Sequence, residues 1–404
     1  MDSGNEVEDD VSPSSTPYLL YHISVDSSLG HQEAIDLISF LAIACDLGVP
    51  LLPMTWQAAR ERLGLGGSGD VRQALVDVQT SLAFKLVKDE DKAQREVELV
   101  LRIFANELIA LSRPNLRAHP HIVDLLGICW DNPSTGGVWP ALLFEKSQYS
   151  DLYNFSTLLV WRELAAMERL DLCLQIGSAI AEMHDQDIIH GDIKPQNVLV
   201  FKLDGRYVTK VTDFGYSSWF RDDTDRIRLP RSRPWHAPEG DRLSRNFSFA
   251  EAKRADIFSY ALLCFWILFE KDLSSKAGAY LAEENLRPTS KGGGQQVPHS
   301  IRALGRLKQT DLLIDAVPQL LTEELGASGH AETLLEFFRS ALIFDPDQRM
   351  ESLCTFEILQ SYRKDLGQVA IKSDYVNAIT QLHGTNRFEV RQAEPSSSFQ
   401  PLVF

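Results

Sequence analysis

The spacing of apolar residues predicts several long helices in this chain. Apolar positions recur every three or four residues in the segments 31–47, 92–111 and 170–183, the repeat expected when one face of a helix is buried. In the first of these segments, the residues predicted to face inward are Ile35, Ile38, Leu41, Ala42 and Cys45. A fourth segment, 255–270, is apolar on nearly every side. It therefore predicts a helix at the centre of a folded core.

Shorter segments between these helices predict strands. The runs SLAFKLV at 81–87 and PALLFEK at 140–146 are short and rich in apolar residues, as buried strands are. Residues 198–211 alternate in polarity on either side of Asp204 and Gly205, a dipeptide that favours a tight turn. We therefore expect a β-hairpin in this part of the chain.

Composition and charge limit the kinds of partner. The 404 residues carry a formal charge of −16, which argues against a nucleic-acid or anionic-membrane binder and favours a basic or neutral partner. The most apolar run, 260–269, is too short to span a bilayer. The acidic start MDSGNEVEDD lacks the basic and apolar segments of a secretory signal. We therefore expect a soluble, cytoplasmic protein with access to the nucleus.

The cysteines point to neither disulfides nor zinc. The chain has five of them in apolar surroundings and no CxxC pair: Cys45, Cys129, Cys173, Cys264 and Cys354. Because a zinc site needs ligands at short spacing, we expect buried, reduced thiols instead.

The stretch HGDIKPQNVLV, from His190 to Val200, holds the polar groups that phosphoryl transfer needs. It places Asp192, Lys194 and Asn197 on one short loop. A carboxylate can accept the proton of an attacking hydroxyl, an ammonium can neutralise charge on the moving phosphoryl group, and an amide oxygen can hold a magnesium ion. This loop is therefore the first candidate for a catalytic centre.

The loop resembles HRDxKxxN, the catalytic loop of the eukaryotic protein kinase superfamily, with Gly191 in place of the arginine. Four further motifs resemble those of the family: the glycine-rich pattern at 63–71, DFG at 213–215, APE at 237–239 and DPxxR at 345–349. The resemblance implies the two-lobed α+β protein kinase fold, with a small β-rich N-lobe and a larger, mainly helical C-lobe. It also implies ATP and Mg²⁺ as cofactors and a protein as substrate.

The same resemblance gives roles to individual residues. Lys85 is costly in an apolar strand unless it meets an anion; it would reach the ATP phosphates and pair with Glu107, which interrupts the buried face of the helix at 92–111. Asn197 and Asp213 would hold Mg²⁺. The residues expected to surround ATP are Leu63, Gly64, Gly66, Gly67, Gly69, Val71, Ala83, Lys85, Phe144, Glu145, Ser147 and Leu199.

Further roles follow from the family pattern. Phe144 would close the back of the adenine pocket, and the backbone of residues 145–147 would contact the adenine edge. Asp192 would act as the base and Lys194 would stabilise charge, and the position of this lysine favours serine/threonine specificity. By the same resemblance, Ser232 stands at the usual threonine position of the substrate-docking segment.

The resemblance and the composition divide the chain into five parts. We expect a disordered acidic tail, a helical N-terminal extension, the N-lobe, the C-lobe and a C-terminal tail, at 1–17, 18–55, 56–145, 146–365 and 366–404. The helix in the extension is expected to pack against the N-lobe, and the extension also leaves room for a regulatory partner.

Two other functions share part of this pattern. A small-molecule kinase of the aminoglycoside or choline type would carry HGD and the asparagine, but APE, the glycine-rich pattern and the lysine after Asp192 count against it. A pseudokinase that acts as a signalling scaffold would bind partners without transfer. The complete set of Lys85, Asp192, Asn197 and Asp213 argues against that alternative.

Gly191 also leads to a hypothesis about regulation. In relatives with arginine at this position, the guanidinium holds a phosphate on the activation segment. Without it, we expect activity to depend little on phosphorylation of that segment, unless another arginine takes over. The hydroxyls and the arginines concerned are Ser217, Ser218, Thr224, Arg221, Arg226 and Arg228.

Overall fold

The computed structural model describes most of the chain between residues 35 and 366. The described ranges are 35–56, 62–66, 69–75, 81–86, 94–131, 138–219, 225–241, 246–275, 298–309, 312–326 and 329–366. The predicted tails at 1–17 and beyond 366 lie outside these ranges, as do Gly67, Arg221 and Thr224.

A six-stranded sheet forms the first lobe. Its strands are β1 Leu51–Trp56, β2 Arg62–Gly66, β3 Gly69–Leu75, β4 Ser81–Leu86, β5 Leu125–Asp131 and β6 Trp139–Glu145. They lie in the order β1-β5-β6-β4-β3-β2. All neighbours are antiparallel except β1 and β5, which run parallel. Two longer helices, α1 Leu37–Asp46 and α2 Gln94–Leu111, and the short α3 Pro114–Arg117 complete the lobe.

The second lobe is mainly helical. Its helices are α4 Leu152–Phe155, α5 Leu159–Glu163, α6 Ala166–Asp185, α7 Phe249–Ser275, α8 His299–Gln309, α9 Leu313–Leu325, α10 His330–Ala341 and α11 Glu357–Leu366. Short strands β7 Ile188–Ile189 and β10 Ser218–Trp219 pair with each other, and β8 Val198–Leu203 pairs with β9 Arg206–Val211. The predicted hairpin around Asp204 and Gly205 is thereby confirmed.

Helix α7 is the buried centre of the second lobe, as its apolar sequence predicts. Trp266 stacks on Trp161 with ring centroids 5.7 Å apart and meets Trp235 edge-on at the same distance. The helix is longer than the predicted 255–270, however. It begins at Phe249 because Ser248 and Glu251 form a capping box, in which each side chain satisfies the other residue's backbone N–H.

The inward face of α1 was predicted only in part, although its packing against the first lobe is confirmed. Ile35, just before the helix, is buried as predicted. The fully buried residues are Phe40 and Ala44, and the Phe40 ring lies 6.4 Å from that of Phe104 on α2. Ile38 is instead 78% exposed. Apolar residues occur on both sides of this helix, so the larger aromatic side chain determines which side packs.

The predicted boundary at residue 56 between the extension and the N-lobe falls at the end of β1. Most of β1 lies before that boundary, yet the strand pairs with β5 and is part of the lobe's sheet. The extension is therefore not wholly helical: its described part contributes one helix and one strand.

The burial of the cysteines agrees with the prediction only in part. Cys129, Cys173 and Cys264 are buried free thiols, as predicted, but Cys45 and Cys354 are exposed. Cys45 is exposed because α1 turns its other face inward.

Among the described helices, none has both the length and the apolar character needed to cross a membrane.

A buried ion pair links two parts of the second lobe that are 110 residues apart in sequence. Arg349 donates to both carboxylate oxygens of Glu239, at 2.7 and 3.0 Å, so the APE and DPxxR motifs lie against each other. Arg349 also donates to the carbonyl of Ile343 at 2.9 Å. Because both partners are buried, removing one would leave an uncompensated charge.

Candidate active site

The loop that carries Asp192 is held by a carboxylate from α7. Asp256 accepts hydrogen bonds from the backbone N–H groups of His190 at 2.8 Å and Gly191 at 2.9 Å. The same carboxylate lies 3.2 Å from Nε2 of His184 at the end of α6. Asp256, which lies inside α7, therefore braces the backbone at the start of this loop.

Gly191 adopts a backbone conformation that a side chain would strain. Its φ is +81°, and a Cβ atom there would lie 3.3 Å from the carbonyl oxygen of Tyr216. Glycine reaches this left-handed region without the steric cost that other residues pay. The glycine that stands in place of the family's arginine thus suits the positive φ at this position.

The three polar residues predicted on this loop lie in mutual contact. Lys194 Nζ is 2.5 Å from Oδ2 of Asp192, and Asn197 Nδ2 donates to the Asp192 carbonyl at 2.8 Å. Ser232 Oγ donates to the other carboxylate oxygen at 2.5 Å, and Lys194 lies 3.3 Å from that hydroxyl. The Asp192 side chain is therefore fixed by an ammonium on one oxygen and an alcohol on the other.

A second cluster joins the first lobe to the end of the hairpin. Lys85 on β4 lies 2.7 Å from Oε2 of Glu107 on α2 and 2.8 Å from Oδ1 of Asp213. Burial alone would lower the pKa of Lys85, but the two carboxylates outweigh it and raise this pKa above its ordinary value. Lys85 is thus a buried, charged ammonium. Phe214 is fully buried directly after Asp213.

Asn197 and Asp213 are close because both belong to the ends of one hairpin. Asn197 directly precedes β8 and Asp213 follows β9, and the N–H of Thr212 donates to the Asn197 carbonyl at 3.0 Å. The Asn197 amide nitrogen also donates to Oδ2 of Asp192 at 3.2 Å, which leaves the amide oxygen as its ligand atom. Amide and carboxylate oxygens are the donors that Mg²⁺ takes, so this pair fits a magnesium site.

The glycine-rich pattern occupies two strands of the sheet. Leu63, Gly64 and Gly66 lie on β2, and Gly69 and Val71 lie on β3. Gly64 pairs with Val71 and Gly66 with Gly69, so the pattern lies on two paired strands; Gly67 lies outside the described residues.

The sheet register connects these strands to the other predicted ATP contacts. Val71 pairs with Lys85, and Ala83 pairs with Phe144 on β6. Phe144 is only 6% exposed. Leu199 on β8 is half-buried and forms a bridge with Asp151.

Glu145, the last residue of β6, belongs to a buried charge cluster. Glu145 Oε1 accepts from Lys210 Nζ at 2.5 Å and from the Asp124 N–H at 3.0 Å, and Lys210 also lies 2.9 Å from the Asp124 carboxylate. Burial, reinforced by Asp124 and opposed by Lys210, raises the pKa of Glu145 to about 7. The Glu145 side chain is therefore used inside the fold, while Ser147 Oγ donates to the Ser150 carbonyl at 3.0 Å.

Lys210, Asp124 and the buried Lys308 were not singled out from the sequence. The sequence of β9, RYVTKV, mixes polar and apolar residues, so it did not mark Lys210 as buried. Once its burial is known, the argument that identified Lys85, that such a lysine must meet an anion, applies to it equally. Lys308 likewise gave no signal in the sequence.

Comparison with known proteins decides the family. Residues 58–361 match the family model of the protein kinase domain, which covers most of the chain. The chain belongs to the protein kinase family. The small β-sheet lobe and the larger helical lobe are the fold of that family.

Individual relatives of this protein kinase are distant. It is similar to serine/threonine-protein kinase TNNI3K of Mus musculus, 28% identical over 212 residues, which is 50% of this chain and 23% of that protein. Rust resistance kinase Lr10 of Triticum aestivum is 30% identical over 214 residues, or 50% of this chain and 30% of that protein. Tyrosine-protein kinase FRK of Homo sapiens is 26% identical over 220 residues, covering 52% and 38%. The chain thus spans less than two fifths of each of these relatives.

Proposed function

We propose that this protein kinase is catalytically active and transfers the γ-phosphate of ATP to serine and threonine hydroxyls of proteins, with Mg²⁺. One observation carries the proposal. Lys85 forms ion pairs with both Glu107 and Asp213. In a separate cluster, Asp192 accepts hydrogen bonds from Lys194 and Ser232. A chain with only the Lys85 cluster would lack a base for the acceptor hydroxyl. A chain with only the Asp192 cluster would lack the groups that hold the ATP phosphates.

Each side chain has a distinct task in this mechanism. Asp192 accepts the proton of the substrate hydroxyl, and its present bond from the Ser232 hydroxyl shows that an alcohol can donate to this carboxylate. Lys194 offsets negative charge on the phosphoryl group as it moves. Lys85, kept charged by its carboxylates, holds the ATP phosphates in position.

Mg²⁺ would be held by the Asn197 amide oxygen and the Asp213 carboxylate, where it would neutralise phosphate charge. Glu107 acts through Lys85, which it orients. The glycine-rich strands, Ala83, Phe144, Leu199 and the backbone of residues 145–147 would enclose the nucleotide.

The choice of serine and threonine rests on Lys194, two residues after Asp192. The relatives include kinases named for serine/threonine and one named for tyrosine. The test is to incubate the purified full chain with γ-labelled ATP and generic protein substrates, with Mg²⁺ or with EDTA, and to analyse the labelled amino acids. We expect phosphoserine and phosphothreonine only with Mg²⁺; mainly phosphotyrosine would contradict the specificity.

The same assay, run also with aminoglycosides and choline as acceptors, addresses the rival functions. A pseudokinase would give no label in any protein, and a small-molecule kinase would label aminoglycosides or choline but not protein. We further propose a cytoplasmic location with access to the nucleus, which cell fractionation would test. We also propose a regulatory partner on the N-terminal extension, which a pull-down would test.

A further inference from the structure

The segment 226–238 is strongly basic although the chain as a whole is acidic. It contains four arginines and no aspartate or glutamate, in a protein with a formal charge of −16. We call it the arginine segment. Its charged residues are Arg226, Arg228, Arg231 and Arg233.

The arginine segment lies directly against the catalytic loop. Ser232 donates to Asp192 at 2.5 Å, so Arg231 and Arg233 are the immediate neighbours of a residue that touches the proposed base. On the other side, a Cβ atom at Gly191 would lie 3.4 Å from the Leu229 side chain. The segment therefore borders the place where the acceptor residue of a substrate must sit.

The backbone of the segment is fixed at both ends. Ile227 exchanges backbone hydrogen bonds with Phe247 at 2.9 and 2.7 Å. The buried ammonium of Lys308 on α8 donates to the carbonyl of Pro234 at 2.8 Å and to that of His236. Because the backbone is already ordered, binding a peptide there costs little further chain entropy.

Several arginine side chains in the segment keep their charge available. Arg228 donates to the neutral amide oxygen of Asn246 at 3.2 Å, and Arg231 to the backbone carbonyl of Asp241 at 3.5 Å. Arg233 lies 3.4 Å from the Asp241 carboxylate, but its side chain is 75% exposed and that carboxylate is 50% exposed. A neutral acceptor cancels no charge, and an exposed pair of this kind is weak.

We propose that the arginine segment selects protein substrates that carry aspartate or glutamate side chains close to the acceptor hydroxyl. This inference rests on the proposed function and names its substrate class. It reverses the expectation from net charge, which favoured a basic or neutral partner, because the segment next to Asp192 itself contains four arginines and no acidic residue. Exposed guanidinium groups bind carboxylates through charge-assisted hydrogen bonds.

A competing use of these arginines is to hold a phosphate on the chain's own activation segment. The two uses are separated by treating the purified protein with phosphatase before every assay. No phosphate then occupies the arginines, and preference among substrates reports only on the peptide.

The test uses three peptides with the same acceptor serine and with Glu, Gln or Lys at the flanking positions. Both kcat/KM and binding in the presence of a non-hydrolysable ATP analogue are measured on the full chain. We expect the Glu peptide to exceed the Lys peptide by about tenfold in both, as two or three exposed pairs would give. The preference should shrink in high salt, because exposed charges are screened.

Charge reversal identifies the residues responsible. The double variant Arg228→Glu/Arg233→Glu should invert the preference toward the Lys peptide. The matched control Arg117→Glu/Arg339→Glu makes the same change of net charge at exposed positions on α3 and α10 and should keep the wild-type order. Unfolding curves of both variants check that the fold is retained.

The two readouts separate failure of this inference from failure of the proposed function. Absence of transfer to every peptide would refute the proposed activity, while the binding order would still test the arginine segment. Equal binding of the three peptides, or an unchanged order in the Arg228/Arg233 variant, would overturn the inference.

Discussion

Two buried lysines show how single residues organise the interior of this protein. Lys85 meets Glu107 and Asp213, and Lys210 meets Asp124 and Glu145. In both cases burial would lower the lysine pKa, and the pair of carboxylates outweighs it. Each ammonium therefore stays charged and joins parts of the chain that are far apart in sequence.

Any side chain at position 191, including the methyl group of alanine, is expected to destabilise the protein. Gly191→Ala should lower the free energy of unfolding by about 2 kcal/mol, because alanine is strained at positive φ and its Cβ would crowd the Tyr216 carbonyl. The matched control is Gly205→Ala, which has the same φ of +81° with no atom within 4 Å. It should cost about 1 kcal/mol. Urea unfolding measures both, and equal costs would show that the close contact is unimportant.

His121 is expected to make the protein sensitive to acid. It is buried between the Thr209 carbonyl at 3.0 Å and the Tyr362 hydroxyl at 2.9 Å. Burial and, to a lesser degree, the charge of Lys210 lower its pKa from 6.5 to about 4, while the Thr209 carbonyl opposes this shift. The unfolded chain therefore binds more protons than the folded one below about pH 6.5, so stability falls as pH falls through this window.

The variant His121→Asn removes this proton-binding site. Between pH 7 and pH 5, the wild-type protein should lose about 2 kcal/mol more of its unfolding free energy than the variant does. The comparison concerns the slope with pH, since the variant also loses hydrogen bonds at every pH. Parallel slopes for the two proteins would contradict the lowered pKa.

The helices and strands differ in how well the sequence specifies them. The spacing of apolar residues located α2 and α6 to within a few residues, because a single buried stripe defines each. The start of α7 was missed because the capping pair Ser248 and Glu251 lies before its apolar run. The inward face of α1 was predicted only in part because the sequence contains apolar residues on both faces and does not show which face meets α2.

The corrected face of α1 leads to a paired prediction. Phe40→Ala should cost about 3 kcal/mol of unfolding free energy, because a fully buried ring against Phe104 is lost and a cavity remains. Ile38→Ala should change stability by less than about 0.5 kcal/mol, since Ile38 is 78% exposed. Urea unfolding of the two variants decides between the faces, and a larger loss at Ile38 would support the face predicted from the sequence.

In the whole molecule, the candidate site depends on parts of the chain that are distant in sequence. Lys85 and Asp213 are 128 residues apart and lie 2.8 Å from each other. The motifs identified these residues, but their distances and the cluster around Lys210 required the folded chain. Net charge averages over the whole surface, so it does not show the arginine segment beside Asp192.

The most direct test of an active site at Asp192 compares two aspartate-to-asparagine variants of the full chain. Asp192→Asn should reduce phosphate transfer to protein by at least about 100-fold, because the base is lost, while the affinity for ATP with Mg²⁺ stays within about twofold. The control Asp187→Asn makes the same chemical change at an exposed position with positive φ, which asparagine also adopts, and should transfer at the wild-type rate. Transfer by Asp192→Asn at the wild-type rate would contradict the assignment.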